Sequence, residues 1–335
     1  MTADPILVEV TRGNLVESTH RGAFVVSDDA GAVIAEGGDI DRPVFPRSAV
    51  KLIQALPLVE SGAADAFGFG DRELAMACAS HSGEPGHVVA AEAMLRAAGL
   101  GEDALECGAH WPFFKQDVLI EFARTARDPS QLHNNCSGKH AGFLCACAHA
   151  GHGPEGYVHP RHPMMEEVRG ALEALTGVPH REETMGIDGC GAPNWAAPLR
   201  SLATAFARLG SGRGLERERF DASRRLMAAS MSEPWHVAGT GRFDTRLMEA
   251  APGLVHSKTG AEGVYCASVP GEGIGIALKI ADGTTRASEI AIAAIVGRVL
   301  GDRGRAVAAL SQRTLRNWNG REVGELRPTE ALGWP

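Results

Sequence analysis

Hydrophobic and polar positions alternate, or form short apolar runs between Gly, Asn and Asp, over the first 45 residues. The segments with this pattern are ILVEVTRG, HRGAFVVSD and GAVIAEGGD. Such patterns are typical of β-strands joined by turns. The same pattern returns late in the chain, in GLVHSKTG, GVYCASVPG and GIGIALKIAD. The sequence therefore predicts strands at both ends.

Between these segments the apolar positions recur with helical spacing. The predicted helices cover 47–60, 71–79, 86–98, 115–127, 138–150, 163–176, 194–209, 216–231 and 285–300. Strands at both ends with helices between them predict an α+β fold, in which one antiparallel sheet is built from N- and C-terminal segments. The sheet-containing part would comprise 1–60 and 250–335, with a mainly helical part, 61–249, packed on one face. Together they would form a single catalytic unit over 1–335.

Composition narrows the function class. The chain has 335 residues, is 44% hydrophobic and 22% charged, and carries a net charge of −8, as expected for a soluble globular protein. No basic patch indicates nucleic-acid or anionic-membrane binding. The start, MTADPILVEVTRGN, lacks a secretory pattern, and no long apolar stretch could span a membrane, so we expect a cytoplasmic protein.

Cysteine and lysine usage points to chemistry. Seven cysteines at irregular spacing are expected to be free thiols or metal ligands rather than a disulfide framework. Only five of the 33 basic residues are lysine. Each lysine is therefore a candidate for a role that arginine cannot fill, because lysine can lose its proton.

Ser48 and Lys51 lie three residues apart at a predicted helix start. A neutral lysine can take the proton of a serine hydroxyl and make it a nucleophile. The ordinary alternative is a helix start with a solvated lysine. Lys258-Thr259-Gly260, on a late predicted strand, favours catalysis, because Ser-x-x-Lys and Lys-Thr-Gly are two marks of serine β-lactamases and penicillin-binding proteins. The third mark is missing, and Ser80 stands in ACASHSGEPG instead.

A second group of residues suggests a metal site. Cys136 and Lys139 are one helical turn apart in HNNCSGKHAG, and Cys190 lies in the glycine-rich turn GIDGCGAP. Two thiolates suit zinc, whose other positions take nitrogen or oxygen. From the residues alone, His133 or His140 would be the third ligand, since lysine must bind as a neutral amine.

The motifs PRSAVK, ASHSGEPGH, HNNCSGKHAGFL, GIDGCGAP and SKTGAEGV, taken together, resemble the Rhizobium etli type of L-asparaginase over residues 5–330. The resemblance implies a fold similar to serine β-lactamases and glutaminases, hydrolysis of L-asparagine to L-aspartate and ammonia, and a homodimer. It implies Ser48 as nucleophile, Lys51 as base, and Ser80 with Lys258 as a second Ser–Lys couple.

The resemblance further implies zinc on Cys136, Lys139 and Cys190, against the histidine preference above. Asp188 would accept a hydrogen bond from a water on the metal, and Arg47 and His140 would line the substrate pocket. We expect zinc to position the α-amino or α-carboxylate group of the substrate.

Other interpretations remain open at this stage. One is a glutaminase or another small-amide hydrolase on the same fold, since one extra methylene is hard to discriminate. A β-lactamase or carboxypeptidase is disfavoured by the missing third motif. A further alternative is a non-catalytic, zinc-dependent amino-acid-binding protein.

Overall fold

The computed structural model describes residues 4–112, 116–125 and 127–333. Its strands are β1 (Ile6–Arg12), β2 (Leu15–Asp28), β3 (Val33–Gly37), β4 (Pro43–Val44), β5 (Met185–Ile187), β6 (Pro193–Trp195), β7 (Ala197–Pro198), β8 (His256–Thr259), β9 (Val264–Val269), β10 (Ile274–Ile280), β11 (Arg313–Arg316) and β12 (Glu322–Pro328). Its helices are α1 (Lys51–Gln54), α2 (Leu56–Glu60), α3 (Ala63–Ala66), α4 (Asp71–Ala77), α5 (Pro85–Ala97), α6 (Gln116–Ala123), α7 (Ser137–Ala150), α8 (Pro163–Thr176), α9 (Leu199–Ser211), α10 (Arg217–Ser232), α11 (Pro234–Val237), α12 (Phe243–Ala250), α13 (Thr285–Leu300) and α14 (Arg305–Ala308).

The chain divides into two compact units. The sheet unit comprises Met1–Ala49, Ala197–Gly214 and Leu247–Pro335. Residues 1–3 and 334–335 of this unit lie outside the described part. The helical unit comprises Val50–Ala196 and Leu215–Arg246. The boundary between Ala49 and Val50 falls inside the Ser48-x-x-Lys51 motif.

The sheet unit confirms the predicted α+β fold class. Eight of its described strands form an antiparallel sheet in the order β11-β12-β1-β2-β10-β9-β8, with β3 also paired to β2, and β4 pairs separately with β7. The N-terminal β1 pairs with the C-terminal β12, with Val8 opposite Pro328. The second half of β2 pairs with β10, with Phe24 opposite Leu278. The sheet is thus built from both ends of the chain, as the strand patterns predicted.

Helices α9 and α13 cover the sheet with apolar side chains. Helix α9 packs on β10, β2 and β9, and α13 packs on β9, β12, β1 and β10. Phe206 of α9 and Ile292 of α13 are fully buried, as are Ile276 and Leu278 of β10. Burial of each such side chain stabilises the fold by about 1.5–3 kcal/mol.

Helix α7 lies at the centre of the helical unit. Every residue from Ser137 to Cys147 is buried, and α7 packs against α2, α3, α4 and α5. A helix that is buried on all sides needs small side chains where neighbours approach. Gly138 meets this need, because an added Cβ would collide with the backbone oxygen of Met76. The same packing fixes the helix start, where Cys136 and Lys139 stand.

Two predicted elements differ from the structure. The helix predicted over 47–60 is a 3₁₀ turn (Arg47–Val50) followed by α1 and α2, because Pro57 has no N–H to continue the hydrogen-bond ladder. The helix predicted from 194 begins at Leu199, since β6 and β7 precede it. Residues 115 and 126 of the predicted helix 115–127 lie outside the described residues.

Among the helices of the described residues, none combines the length and apolar character needed to cross a bilayer.

Candidate active site

Lys51 is buried at the start of α1, with 1% of its surface exposed. Its Nζ donates a hydrogen bond to the carbonyl of Ala79 and another, 3.1 Å long, to Sγ of Cys136. Lysine is rarely buried without partners because desolvating its charge is costly. The solvated-lysine alternative is therefore wrong. Lys51 lies instead between the peptide that precedes Ser80 and the sulfur of a predicted metal ligand.

Ser80 lies in the loop between α4 and α5. Its N–H donates to the carbonyl of Val237 over 2.9 Å, so the backbone is fixed. Its Oγ is buried and has no hydrogen-bond partner among the described residues. Buried hydroxyls are nearly always hydrogen-bonded. The unpaired Oγ therefore marks a position at which a ligand or water is expected.

His81 links the Ser80 loop to the loop of Cys136, a role that the sequence interpretation missed. Its Nδ1 accepts from the N–H of Gly83 over 3.1 Å, so Nε2 carries the proton. Nε2 then donates to Oγ of Ser137 over 2.9 Å, and that hydroxyl donates to the carbonyl of Leu132. Burial, with the neighbouring charges of His87 and Lys51, lowers the pKa of His81 well below its usual value. His81 is therefore a neutral structural link, not a general base.

His87 fixes the other end of this loop. Its Nδ1 accepts from the N–H of Glu84 over 3.2 Å, and its Nε2 lies 3.0 Å from the carbonyl of Trp235. The imidazole also stacks on the indole of Trp235, with centroids 4.0 Å apart. Burial lowers the pKa of His87 to about 4, although the Trp235 carbonyl acts in the opposite direction. His87 is therefore neutral near pH 7.

The predicted metal ligands converge in the helical unit. Nζ of Lys139 lies 3.3 Å from Sγ of Cys190, and Cys136 and Cys190 are hydrogen-bonded to each other. The hydrogen bond from Cys136 lowers the pKa of Cys190. Burial raises that pKa, and the charge of Lys139 lowers it further. Burial alone would lower the pKa of Lys139, but the charges of Cys190, Cys136 and Asp188 outweigh it and raise that pKa. The cluster thus favours a thiolate at Cys190.

Cys136 and Cys190 make a zinc site with three protein ligands only if Lys139 is the third. Within the described residues, no group of three or more His, Cys, Asp or Glu side chains is arranged to hold a metal ion. Two sulfurs and one amine nitrogen are nevertheless suitable ligands for a tetrahedral zinc with one open position. Nδ1 of His133 is bonded to Ser130, and its ring packs on Phe122 at 4.6 Å. Which nitrogen completes the ligand set stays a prediction.

His140 and Asp188 border the thiols. His140 is fully buried, and its Nδ1 lies 2.6 Å from the hydroxyl of Tyr157. Burial lowers the pKa of His140, and the charge of Cys190 opposes that effect. Asp188 is half-buried, and its carboxylate accepts from the N–H of Gly189 over 2.8 Å. The side chains of His140 and Asp188 therefore lie close enough to the thiols to contact a ligand bound there.

Arg47, Ser48 and Lys258 belong to the sheet unit. Arg47 has a φ of +52°, a left-handed conformation that is strained for any residue except glycine. Ser48 is half-buried in the 3₁₀ turn that follows, and Lys258 is fully buried in β8, where its Nζ donates to the carbonyl of Thr259 over 2.9 Å. Backbone strain of this kind is concentrated at functional sites.

Gly260 explains how the end of β8 approaches the turn of Ser48. A Cβ at this position would lie 2.7 Å from the carbonyl oxygen of Pro46 and 3.3 Å from the nitrogen of Ala49. Any other residue would push the turn away from the strand. The glycine of Lys-Thr-Gly is therefore needed to keep the Ser48 turn against the strand that carries Lys258.

The predicted site residues thus form two groups, one in each unit. Lys51, Ser80 and the cluster around Cys136 and Cys190 are connected within the helical unit. Arg47, Ser48 and Lys258 are held within the sheet unit. The predicted meeting of the Ser48 and Lys51 side chains stays a prediction.

Comparison with known proteins identifies the family of the chain. The sequence profile of the family described as L-asparaginase II matches residues 8–328. None of the curated proteins compared shows significant sequence similarity. Among solved structures, a β-lactamase from Mycobacterium bovis is similar at 13% identity and a TM-score of 0.45, over 84% of this chain and 95% of its own. The protein Mglu is similar at 13% identity and a TM-score of 0.43, over 91% of this chain and 72% of Mglu.

Proposed function

The chain belongs to the L-asparaginase II family, and on that premise we propose that it hydrolyses the side-chain amide of L-asparagine to L-aspartate and ammonia. The observation that carries the proposal is the burial of Lys51 between Ala79 and Cys136, in a family whose description names this activity. A buried amine with fixed partners is expected of a base and is not needed by a surface helix.

Lys51 is the proposed base for Ser48. A charged lysine has three N–H donors. Two of these are directed at the Ala79 carbonyl and the Cys136 sulfur. The third proton is the one that can leave, and the lone pair exposed by its departure points away from both partners. Such a lone pair can accept the proton of Ser48 as its hydroxyl attacks the carboxamide carbon.

The remaining residues supply the other requirements of amide hydrolysis. The backbone N–H of Ser48, at a helical turn, is the proposed donor to the tetrahedral oxyanion. Ser80 and Lys258 form the proposed second couple, which would relay the proton to the leaving ammonia. Arg47, His140 and Asp188 are the proposed contacts for the charged groups of the substrate.

Zinc is proposed on Cys136, Lys139 and Cys190. When bound, it would supply a Lewis-acidic centre that orients the α-amino or α-carboxylate group of the substrate. The residues of the chain would then carry the reaction itself. Lys51 takes the proton of Ser48, and the serine oxygen forms an acyl ester as the C–N bond breaks and ammonia leaves. Water then hydrolyses that ester to give L-aspartate and restore the serine hydroxyl.

The decisive experiment measures ammonia release from L-asparagine by the wild type, Ser48→Ala and Lys51→Ala. We expect both variants to lose about 10³-fold or more in kcat. Equal rates in all three proteins would reject the Ser–Lys mechanism. No release by the wild type, with retained asparagine binding by calorimetry, would favour a binding protein. A kcat/KM for L-glutamine above that for L-asparagine would favour a glutaminase.

The homodimer and the cytoplasmic location stay predictions of the sequence. Light scattering on the purified protein tests the first, because a dimer has twice the monomer mass of 35.2 kDa. Fractionation of the producing cells tests the second.

A further inference from the structure

The loop between α4 and α5 that carries Ser80, residues 78–84, lies against the turn 237–240 at the end of α11. The N–H of Ser80 donates to the carbonyl of Val237 over 2.9 Å. Two residues later, the hydroxyl of Ser82 donates to the carbonyl of Ala238 over 2.9 Å. Both segments belong to the helical unit. The loop and the turn are therefore joined at successive positions, beginning at Ser80.

Glu84 makes a third connection, with both oxygens of its carboxylate. Oε1 accepts from the N–H of Thr240 over 2.8 Å, and Oε2 accepts from the Thr240 hydroxyl over 2.7 Å. A carboxylate forms stronger hydrogen bonds than a neutral acceptor, and two parallel bonds also fix its orientation. The Glu84 side chain is therefore the strongest of the three links between the loop and the turn.

Further contacts connect Thr240 back to Glu84. Nε1 of Trp235 donates to Oγ1 of Thr240 over 2.9 Å, and the indole of Trp235 stacks on His87. Nδ1 of His87 accepts from the N–H of Glu84. The hydroxyl of Thr240 thus accepts one hydrogen bond and donates another. Together these contacts form a closed circuit that starts and ends at Glu84.

Two glycines leave room for this circuit. A Cβ on Gly86 would lie 2.7 Å from the indole ring of Trp235. A Cβ on Gly239 would lie 2.6 Å from Oε1 of Glu84 and 2.6 Å from Oγ of Ser82. Gly239 also has a φ of +120°, which residues other than glycine rarely adopt. Any side chain at these two positions would push the loop and the turn apart.

We propose that Glu84 and Thr240 are positioning residues that hold the loop of Ser80 against the turn and so fix the place of Ser80 Oγ in the site. The hydroxyl has no hydrogen-bond partner among the described residues, so the backbone that carries it sets its position. A proton relay requires donor and acceptor to be held at hydrogen-bond distance. The catalytic part of this inference rests on the proposed function, in which Ser80 relays a proton, whereas the link between loop and turn does not.

Hydrogen–deuterium exchange measures the link without activity. Thr240→Val keeps the shape of the side chain and removes the hydroxyl, whereas Thr240→Ser keeps the hydroxyl. In single-residue exchange data from mass spectrometry, we expect the Ser80 amide to be protected in the wild type and to exchange about tenfold faster in Thr240→Val. Thr240→Ser should retain the wild-type rate, and the Ile280 amide should exchange equally in all three proteins. An unprotected Ser80 amide in the wild type would overturn the inference even if every variant failed to fold, and an unchanged rate in Thr240→Val would reject it.

Ammonia release then tests the consequence for catalysis. We expect kcat for L-asparagine to fall about tenfold in Thr240→Val and in Glu84→Ala, with KM changed less than about threefold, and to be retained in Thr240→Ser. Glu60→Ala is the matched control, because Glu60 accepts from Arg219 with both carboxylate oxygens in the same unit.

A loss of kcat in Glu60→Ala as large as that in Glu84→Ala would reject a specific positioning role. If the wild type releases no ammonia, the proposed function fails, and the exchange rates still decide whether Glu84 and Thr240 hold the loop.

Discussion

Nζ of Lys51 lies 3.1 Å from Sγ of Cys136, so the predicted base and a predicted metal ligand are in direct contact. The sequence separates them by 85 positions and assigns them to two different motifs. Their contact means that a change in the protonation or ligation of the sulfur alters the electrostatic environment of the amine. Lys51 and the thiol cluster therefore form one chemical unit.

The first prediction concerns Lys51→Met, which keeps the aliphatic stem and removes the amine. We expect ammonia release to fall about 10³-fold, because no other group replaces the base. We expect the free energy of unfolding to fall by about 1–3 kcal/mol, because the Ala79 carbonyl and the Cys136 sulfur lose their donor. Lys279→Met is the matched control, since Nζ of Lys279 also donates to a backbone carbonyl, that of Ile280. Activity loss of similar size in that control would contradict a specific role for Lys51.

The second prediction concerns metal content. Zinc, measured by mass spectrometry after dialysis, should be present at about one ion per chain in the wild type and be lost in Cys136→Ser and Cys190→Ser. Cys145→Ala is the control on the same helix, because Cys145 donates to the carbonyl of Met94 away from the cluster. If both serine variants retain zinc, the proposed ligand set is wrong.

The third prediction uses the depressed pKa of His87. Its pKa is about 4 in the folded protein, whereas an unperturbed histidine has a pKa of 6.5. Between these two pH values the unfolded chain therefore binds a proton at this residue and the folded protein does not. Stability is therefore complete above pH 6.5 and falls as the pH decreases, by about 2 kcal/mol between pH 7 and pH 5 from this residue. The pKa of His81 is also lowered, so this residue adds to the loss of stability at low pH.

Denaturant unfolding at pH 7 and pH 5 checks this expectation. His87→Gln keeps a side chain that can accept from Glu84 and donate to Trp235 but does not titrate. We expect it to lose about 2 kcal/mol less than the wild type between the two pH values. An equal loss in both proteins would show that His87 does not control acid stability.

The fourth prediction concerns the left-handed backbone of Arg47. Arg47→Gly and Arg47→Ala both remove the side chain, but only glycine relieves the strain. We expect the glycine variant to be more stable than the alanine variant by about 1 kcal/mol, with a raised KM in both. Glu262, with a φ of +60°, is the matched position, where the same pair of substitutions should reproduce the stability difference without the change in KM. If Arg47→Ala proved more stable than Arg47→Gly, the left-handed backbone at this position would not be strained.

The fold was predictable to the extent that local patterns determine it. The meander β8–β10 and the helix Pro163–Thr176 follow directly from period-two and helical patterns. The strand pairing of β12 with β1 was not predictable in the same way, because the tail RTLR and EVGELRP is weakly apolar. The break at Pro57 had a clear signal in the sequence, the missing N–H of proline, which the long apolar periodicity concealed.

The sequence predicted most residues of the site but not the hydrogen bonds that join them. Scarce lysines and polar-flanked cysteines pointed to the residues that the helical unit brings together. Tyr157 and His81 were missed, because their importance lies in hydrogen bonds to His140 and Ser137 that no sequence spacing encodes. The one available signal was rarity, since the chain has only two tyrosines.

The pairing of Val8 with Pro328 has a consequence for biosynthesis. A ribosome that adds about 5–20 residues per second needs roughly 15–60 s to go from the first of these residues to the second. During that interval one edge of β1 on the nascent chain has no partner, and an unpaired strand edge is a template for aggregation. Production in the cell is therefore expected to depend on chaperone protection of the N-terminal strands until translation is complete.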